Sequence, residues 1–132
     1  MTVYYLDSSV ALHALLGVTP AAARWMEDVS GDPDVTLISS RLIRTELTRV
    51  LRREQLPVGL RDAIVDRLEL VPLTDGILAG AEAIVPHVRT LDAIHLASVV
   101  AVGLDAIVVT HDAGMADVAR ELGYAVIDPV AG

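Results

Sequence analysis

The sequence predicts an α/β protein: a three-layer α/β/α sandwich on a parallel sheet of five strands. Two observations lead there. Short apolar runs alternate along the chain with stretches of helical periodicity, the pattern of strand–helix–strand units. The runs are apolar throughout, as strands buried on both faces of a parallel sheet require, with right-handed crossovers nearly obligatory. A chain of 132 residues suffices for a substantial core, and residues 1–132 read as one domain.

The elements follow in order. Val3 to Leu6 reads as the first strand, ending at Asp7. Ser8 or Ser9 can cap a helix carrying Val10, Leu12, Leu15 and Leu16, which Gly17 stops. Pro20 opens a second helix with Trp25, Met26 and Val29 on its apolar stripe, and Ser30 to Asp34 is a turn. Val35 to Ile38 reads as the second strand, and Ser39 or Ser40 caps a helix from about Arg41 to Glu54. Ile43, Leu47, Val50 and Leu51 share one face of it, while five Arg occupy much of the rest. Pro57 starts a helix through Ile64 and Leu68. Leu70 to Leu73 is a poorer third strand, since Pro72 cannot donate to a ladder and prefers an edge. Asp75 then caps a helix through Ile84. Ala106 to Val109 is the clearest strand, running into Thr110-His111-Asp112. A helix to about Leu122 and a last strand, Ala125 to Ile127, complete the chain.

Composition narrows the chemistry. Hydrophobic residues make up 53% and aromatics only 3%, so the core is aliphatic. The absence of Cys excludes disulfides and thiolate metal sites and agrees with a reducing cytoplasm. The N-terminus lacks a basic region and reaches Asp7 quickly, so no signal peptide is expected. The longest apolar run is broken too soon for a membrane span. Net charge is −8 and every basic residue is Arg. An acidic chain can bind nucleic acid only locally, through metal ions and an Arg patch; its acidity also suits a basic protein partner.

The stretch Arg89-Thr90-Leu91-Asp92-Ala93-Ile94-His95-Leu96-Ala97 places one carboxylate in the first turn of an otherwise apolar helix, with Thr90 as its expected cap. Asp7 and Asp112 follow strands, at the sheet edge where open parallel sheets bind ligands. If the first and fourth strands are neighbours, both acids reach one crevice, with Asp92 and Glu46 entering from helices. Four carboxylates there repel, at about 4 kcal/mol for each pair ~4 Å apart in an effective dielectric of ~20. Cations must neutralise them, and an all-oxygen set favours Mg²⁺ or Mn²⁺. Acids holding hard cations imply phosphodiester hydrolysis by metal-activated water. Ser9 and Thr110 can hydrogen-bond the neighbouring acids.

Each residue also has a structural alternative. Asp92 can complement the helix dipole; Asp7 and Asp112 can be N-caps; Glu46 can be a solvated partner of Arg49 or Arg53; His95 can be a hydrogen-bonded packing residue. Ser9 and Thr110 can be turn caps. Asp75, Asp117 and Asp128 read as structural or solvated.

Taken together, Asp7-Ser8-Ser9, Arg44-Thr45-Glu46-Leu47, Leu91-Asp92-Ala93-Ile94-His95-Leu96-Ala97 and Thr110-His111-Asp112 resemble the PIN-domain nucleases, and more narrowly the VapC-type toxins of prokaryotic toxin–antitoxin pairs. The resemblance implies sheet order 3-2-1-4-5 and a Mg²⁺- or Mn²⁺-dependent endoribonuclease. By position it makes Asp7, Glu46, Asp92 and Asp112 the catalytic acids, with Asp7, Asp92 and Asp112 as metal ligands. It also implies a homodimer, an RNA substrate, and a cognate antitoxin that covers the groove. Arg49 and Arg53 could then hold RNA phosphate or an antitoxin's acidic group. The alternative is a catalytically silent domain of the same fold that binds an antitoxin-like partner. A receiver domain would need a Lys the chain lacks. A haloacid-dehalogenase-like phosphatase would need an acid where Ser9 stands, and nucleotide-binding folds would need a Gly-rich turn.

Overall fold

The computed structural model describes residues 1–103 and 105–131. Its strands β1 (Thr2–Leu6), β2 (Val35–Ser40), β3 (Glu69–Val71), β4 (Ile107–Val109) and β5 (Val126–Ile127) form one sheet. All pairings are parallel, in the order β3-β2-β1-β4-β5. The expected class, strand count and order are all present. Helices α1 (Ser8–Leu15), α2 (Pro20–Ser30), α3 (Leu42–Arg53), α4 (Asp62–Val65), α5 (Asp75–Glu82), α6 (Thr90–Val102) and α7 (Ala113–Glu121) cover the two faces.

Alternation along β1 divides the core. Leu6 packs with Val10, Met26, Leu37, Ile43 and Leu47 on the face under α1 to α3, and the half-buried Tyr4 meets Trp25 there edge-on at 5.3 Å. Tyr5 points to the other face, with Leu96, Val99, Val108, Met115 and Val118 under α6 and α7. Fully burying side chains of this size is worth roughly 1.5–3 kcal/mol each, so the aliphatic inventory carries the fold.

The most buried helix is α6, in which every residue from Asp92 to Val99 is buried. The sheet takes Leu96 and Val99, while α5 covers Ile94 and Ala97 with Ile77. Gly80 faces Ala97 there, and a Cβ at position 80 would meet the Ala97 methyl in ordinary van der Waals contact at 3.5 Å. A helix with so little solvated surface holds its carboxylate and imidazole inside the protein.

Several boundaries differ from expectation for local reasons. Arg89 rather than Thr90 occupies the N-cap position of α6. Thr74 rather than Asp75 caps α5, its Oγ1 accepting from Ile77 N at 3.2 Å. The helix expected from Pro57 to Leu68 is a 3₁₀ turn (Val58–Arg61) followed by the single-turn α4. The third strand stops at Val71, before Pro72, and is an edge strand as the proline demanded.

Candidate active site

The sheet itself brings two acids to one place. Leu6 is in register with Val109, and Asp7 N donates to Val109 O at 2.9 Å, so β1 and β4 end side by side. Asp7 is 2% exposed. Its Oδ2 accepts from Ser9 Oγ at 2.7 Å and from Thr110 Oγ1 at 2.8 Å. Its Oδ1 is buried and, among the described residues, has no hydrogen-bond partner. Asp7 occupies the N-cap position of α1 but makes no side-chain cap bond, so capping does not explain it.

Asp92 lies close by. Burial pushes its carboxyl pKa up, the Arg89 hydrogen bond pulls it back, and the charges on Asp7 and Asp112 push it up again. Asp112 serves two ends: its Oδ1 caps α7 by accepting from Met115 N at 2.9 Å, and its Oδ2 pairs with Arg89. Arg89 Nε also reaches Asp92 Oδ2 at 3.0 Å, so one guanidinium bridges two acids. Among the described residues no three acidic or histidine side chains stand around a common point at metal-ligand spacing. The guanidinium supplies the positive charge at Asp92 and Asp112 instead.

Glu46 enters from α3 and turns inward, away from Arg49 and Arg53. Its Oε1 meets His95 Nε2 at 2.6 Å, and its Oε2 accepts from Ser8 Oγ at 3.1 Å. His95 is fully buried, with Nδ1 2.7 Å from Tyr5 Oη and Nε2 3.9 Å from Asp7 Oδ1. Burial pulls the imidazole pKa down, but the hydrogen bond and charge of Glu46, with Asp7 and Asp92 behind it, outweigh that and raise it. His95 is a hydrogen-bonded packing residue, as expected, and one of its two bonds fastens Glu46.

A cavity of about 390 Å³ opens among Asp7, Ser8, Glu46, Arg89 and Asp92. A larger one of about 570 Å³, between α5 and the start of α6, is lined mainly by Leu78, Ala81, Ile84, Val85 and Ile94 and holds none of the four acids. The smaller cavity has the chemistry. Arg49 and Arg53 are not drawn into it: Arg49 lines a shallow cleft with Arg41, Arg44 and Arg61, and exposed Arg53 pairs with Glu54 at 3.3 Å. His111 pairs with Asp128 at 2.8 Å, and Asp117 pairs on the surface with Arg120. Sequence reasoning gave no role to Arg89 and read Ser8 only as a candidate helix cap; the spacing of three residues between Arg89 and Asp92 was the available signal.

The family model described as PIN domain matches residues 4–121. The chain belongs to the PIN-domain family. Ribonuclease VapC47 of Mycobacterium tuberculosis is 32% identical to this PIN domain over 131 residues, covering 95% of this chain and 96% of that protein. The match bears out the resemblance to VapC-type proteins. VapBC2 from Rickettsia felis, solved bound to a DNA fragment from its promoter, superposes on this PIN domain with a TM-score of 0.71 at 14% identity, over 96% of this chain and 98% of that one. A toxin–antitoxin complex from Klebsiella pneumoniae superposes with a TM-score of 0.69 at 15% identity, over 96% and 97%. At such low identity these two establish the fold alone. Among the described residues, no helix is long and apolar enough to cross a membrane.

Proposed function

We propose that this PIN domain is a divalent-cation-dependent endoribonuclease, the toxin of a toxin–antitoxin pair, acting in the cytoplasm. The observation that carries the reading is Asp7 Oδ1, a buried carboxylate oxygen with no hydrogen-bond partner among the described residues, beside Asp92 and Asp112. Leaving such a group unsatisfied costs about 1–3 kcal/mol or more, which a bound cation would remove. The donor set fits Mg²⁺ or Mn²⁺: hard carboxylate oxygens with no sulfur. Asp7, Asp92 and Asp112 would hold the ion. When bound, it would lower the pKa of an attacking water and offset the phosphate's charge.

The chain's own residues do the rest. Ser9 and Thr110 fix the Asp7 carboxylate by binding its Oδ2, which leaves Oδ1 free of hydrogen bonds among the described residues. His95 and Ser8 hold Glu46 at the cavity wall, where Oε2 can accept a proton from the attacking water. Arg49, on the cleft of four Arg, and Arg53 would contact RNA phosphates away from the scissile bond. An RNA ribonuclease activity is supported by the named relative, and an antitoxin partner by the Klebsiella neighbour. A homodimer belongs to the same reading, supported by exposed Leu78, Val85 and Val100 on α5, α6 and the segment between them.

Asp7→Asn and Asp92→Asn should each abolish Mn²⁺-supported RNA cleavage and weaken Mn²⁺ binding in calorimetry. Undiminished cleavage by rigorously purified variants would reject the assignment. The bridge from Arg89 to two of the acids favours a second reading, a silent domain that only captures a partner. No cleavage under saturating Mn²⁺, with partner binding intact, would select it.

A further inference from the structure

Arg89 pairs with two of the four acids, Asp92 and Asp112, while the buried His95 lies against the other two. It sits at the N-cap of α6, one turn from Asp92. The two sides of the bridge differ greatly in exposure. Asp92 and Asp112 are held by a buried helix and by a capping bond, with side chains 10% and 25% exposed; the Arg89 side chain is 73% exposed. Among the described residues the guanidinium has no other hydrogen-bond or ion-pair partner. Charge alone holds it across the mouth of the cavity.

From this geometry we infer that Arg89 is an exchangeable counter-cation: it neutralises Asp92 and Asp112 until a divalent ion takes them, and then binds a substrate phosphate. The inference rests on the metal-dependent reading above. A divalent ion and a guanidinium compete for the same two carboxylates, because each neutralises the charge that attracts the other and like charges a few ångströms apart repel. Once the ion holds them, the guanidinium is left on a tether at the cavity mouth, without an anion. Its planar fork of donors suits two phosphate oxygens. A phosphodiester drawn to the ion is the anion nearest to hand. The exchange explains why the acids tolerate one another without metal, while Asp7 Oδ1 accepts no hydrogen bond among the described residues.

Two measurements on the intact protein test this: calorimetric titration with Mn²⁺ alone, and the KM for a single-stranded RNA. Arg89→Gln should bind Mn²⁺ about 3- to 10-fold more tightly than the wild type, the size expected for losing a competitor held by exposed ion pairs. Its KM for RNA should rise by a similar factor. Arg89→Lys, whose single ammonium cannot span both acids, should fall between the two on Mn²⁺ affinity. Mn²⁺ affinity unchanged or weaker in Arg89→Gln would overturn the exchange. Tighter Mn²⁺ binding with unchanged KM would overturn the phosphate step. No Mn²⁺ binding by the wild-type chain would defeat the metal reading itself, and this inference with it.

Discussion

Replacing Glu46 and His95 by Gln, singly and together, should reveal a coupling of about 2 kcal/mol in the metal-free protein, the range of a hydrogen bond between charged groups. The magnitude follows from the contact. At the observed 2.6 Å, a full charge pair in an effective dielectric of ~20 would gain about 6 kcal/mol. Taking both groups out of water returns most of that. What remains is several times the roughly 0.3–0.5 kcal/mol of an exposed pair on a helix, which is what Glu46 would show if it paired with Arg49 or Arg53. Gln preserves length and one acceptor at position 46 and most of the volume at position 95, so the cycle removes the interaction with little new strain. Urea unfolding in EDTA gives the four stabilities; for a domain this size about 2 kcal/mol also corresponds to a Tm shift of ~7 °C. A coupling below about 0.5 kcal/mol would mean that Glu46 is a surface residue and that His95 does not fasten it.

Thr110→Val keeps the shape of a buried side chain and removes the hydroxyl that donates to Asp7 Oδ2 and accepts from Asp112 N. It should weaken Mn²⁺ binding by about 10- to 100-fold in calorimetry; unchanged affinity would show that Asp7 needs no second anchor. Asp128 offers a test by pH. Burial pushes its carboxyl up, but hydrogen bonds from His111, Val130 and Ala131 bring it below its ordinary value near 3.8. A carboxyl lowered by folding stabilises above its unfolded pKa and loses that contribution as pH falls through the folded one. The stability difference between wild type and Asp128→Asn, about 0.5–1 kcal/mol, should therefore hold at neutral pH and close below about pH 4. A gap that does not narrow as pH falls below the ordinary carboxyl range, or that opens only there, would contradict the assignment.

The sheet was legible because its signal is distributed. Five apolar runs and the helical periods between them constrain one another, and a single weak strand such as Glu69–Val71 cannot upset the pattern. Helix starts were less legible, since Thr74 and Asp75 are both good caps and only the backbone path decides between them. The acids were legible as to place: Asp7 and Asp112 follow adjacent strands, so their convergence comes from topology. What each acid touches was not legible. The preference of Glu46 for His95 over nearby Arg depends on α3 packing Ile43, Leu47 and Leu51 inward, which rotates the carboxylate toward α6. A helical wheel of α3 alone cannot place α6 against it.

The contacts of His95 and Arg89 bear on why an acidic chain should concentrate further acid at one point. Two basic groups bracket the carboxylates, and they differ in kind. His95 lies beneath them, fully buried and wedged between Tyr5 and Glu46, so it cannot leave without disrupting the core. Arg89 lies over them, mostly exposed and tied only by charge. A fixed imidazole below, whose pKa the acids raise, lowers the cost of folding them together; a detachable cation above lets the same acids accept a different cation without unfolding. Had both been buried, the acids would be permanently neutralised. Had both been exposed, Asp7 and Asp92 would be too costly to bury, because burial already pushes the Asp92 carboxyl upward with Arg89 in place. The asymmetry between a fixed hydrogen-bonding imidazole and a removable counter-charge is therefore what makes the pocket at once foldable and open to exchange.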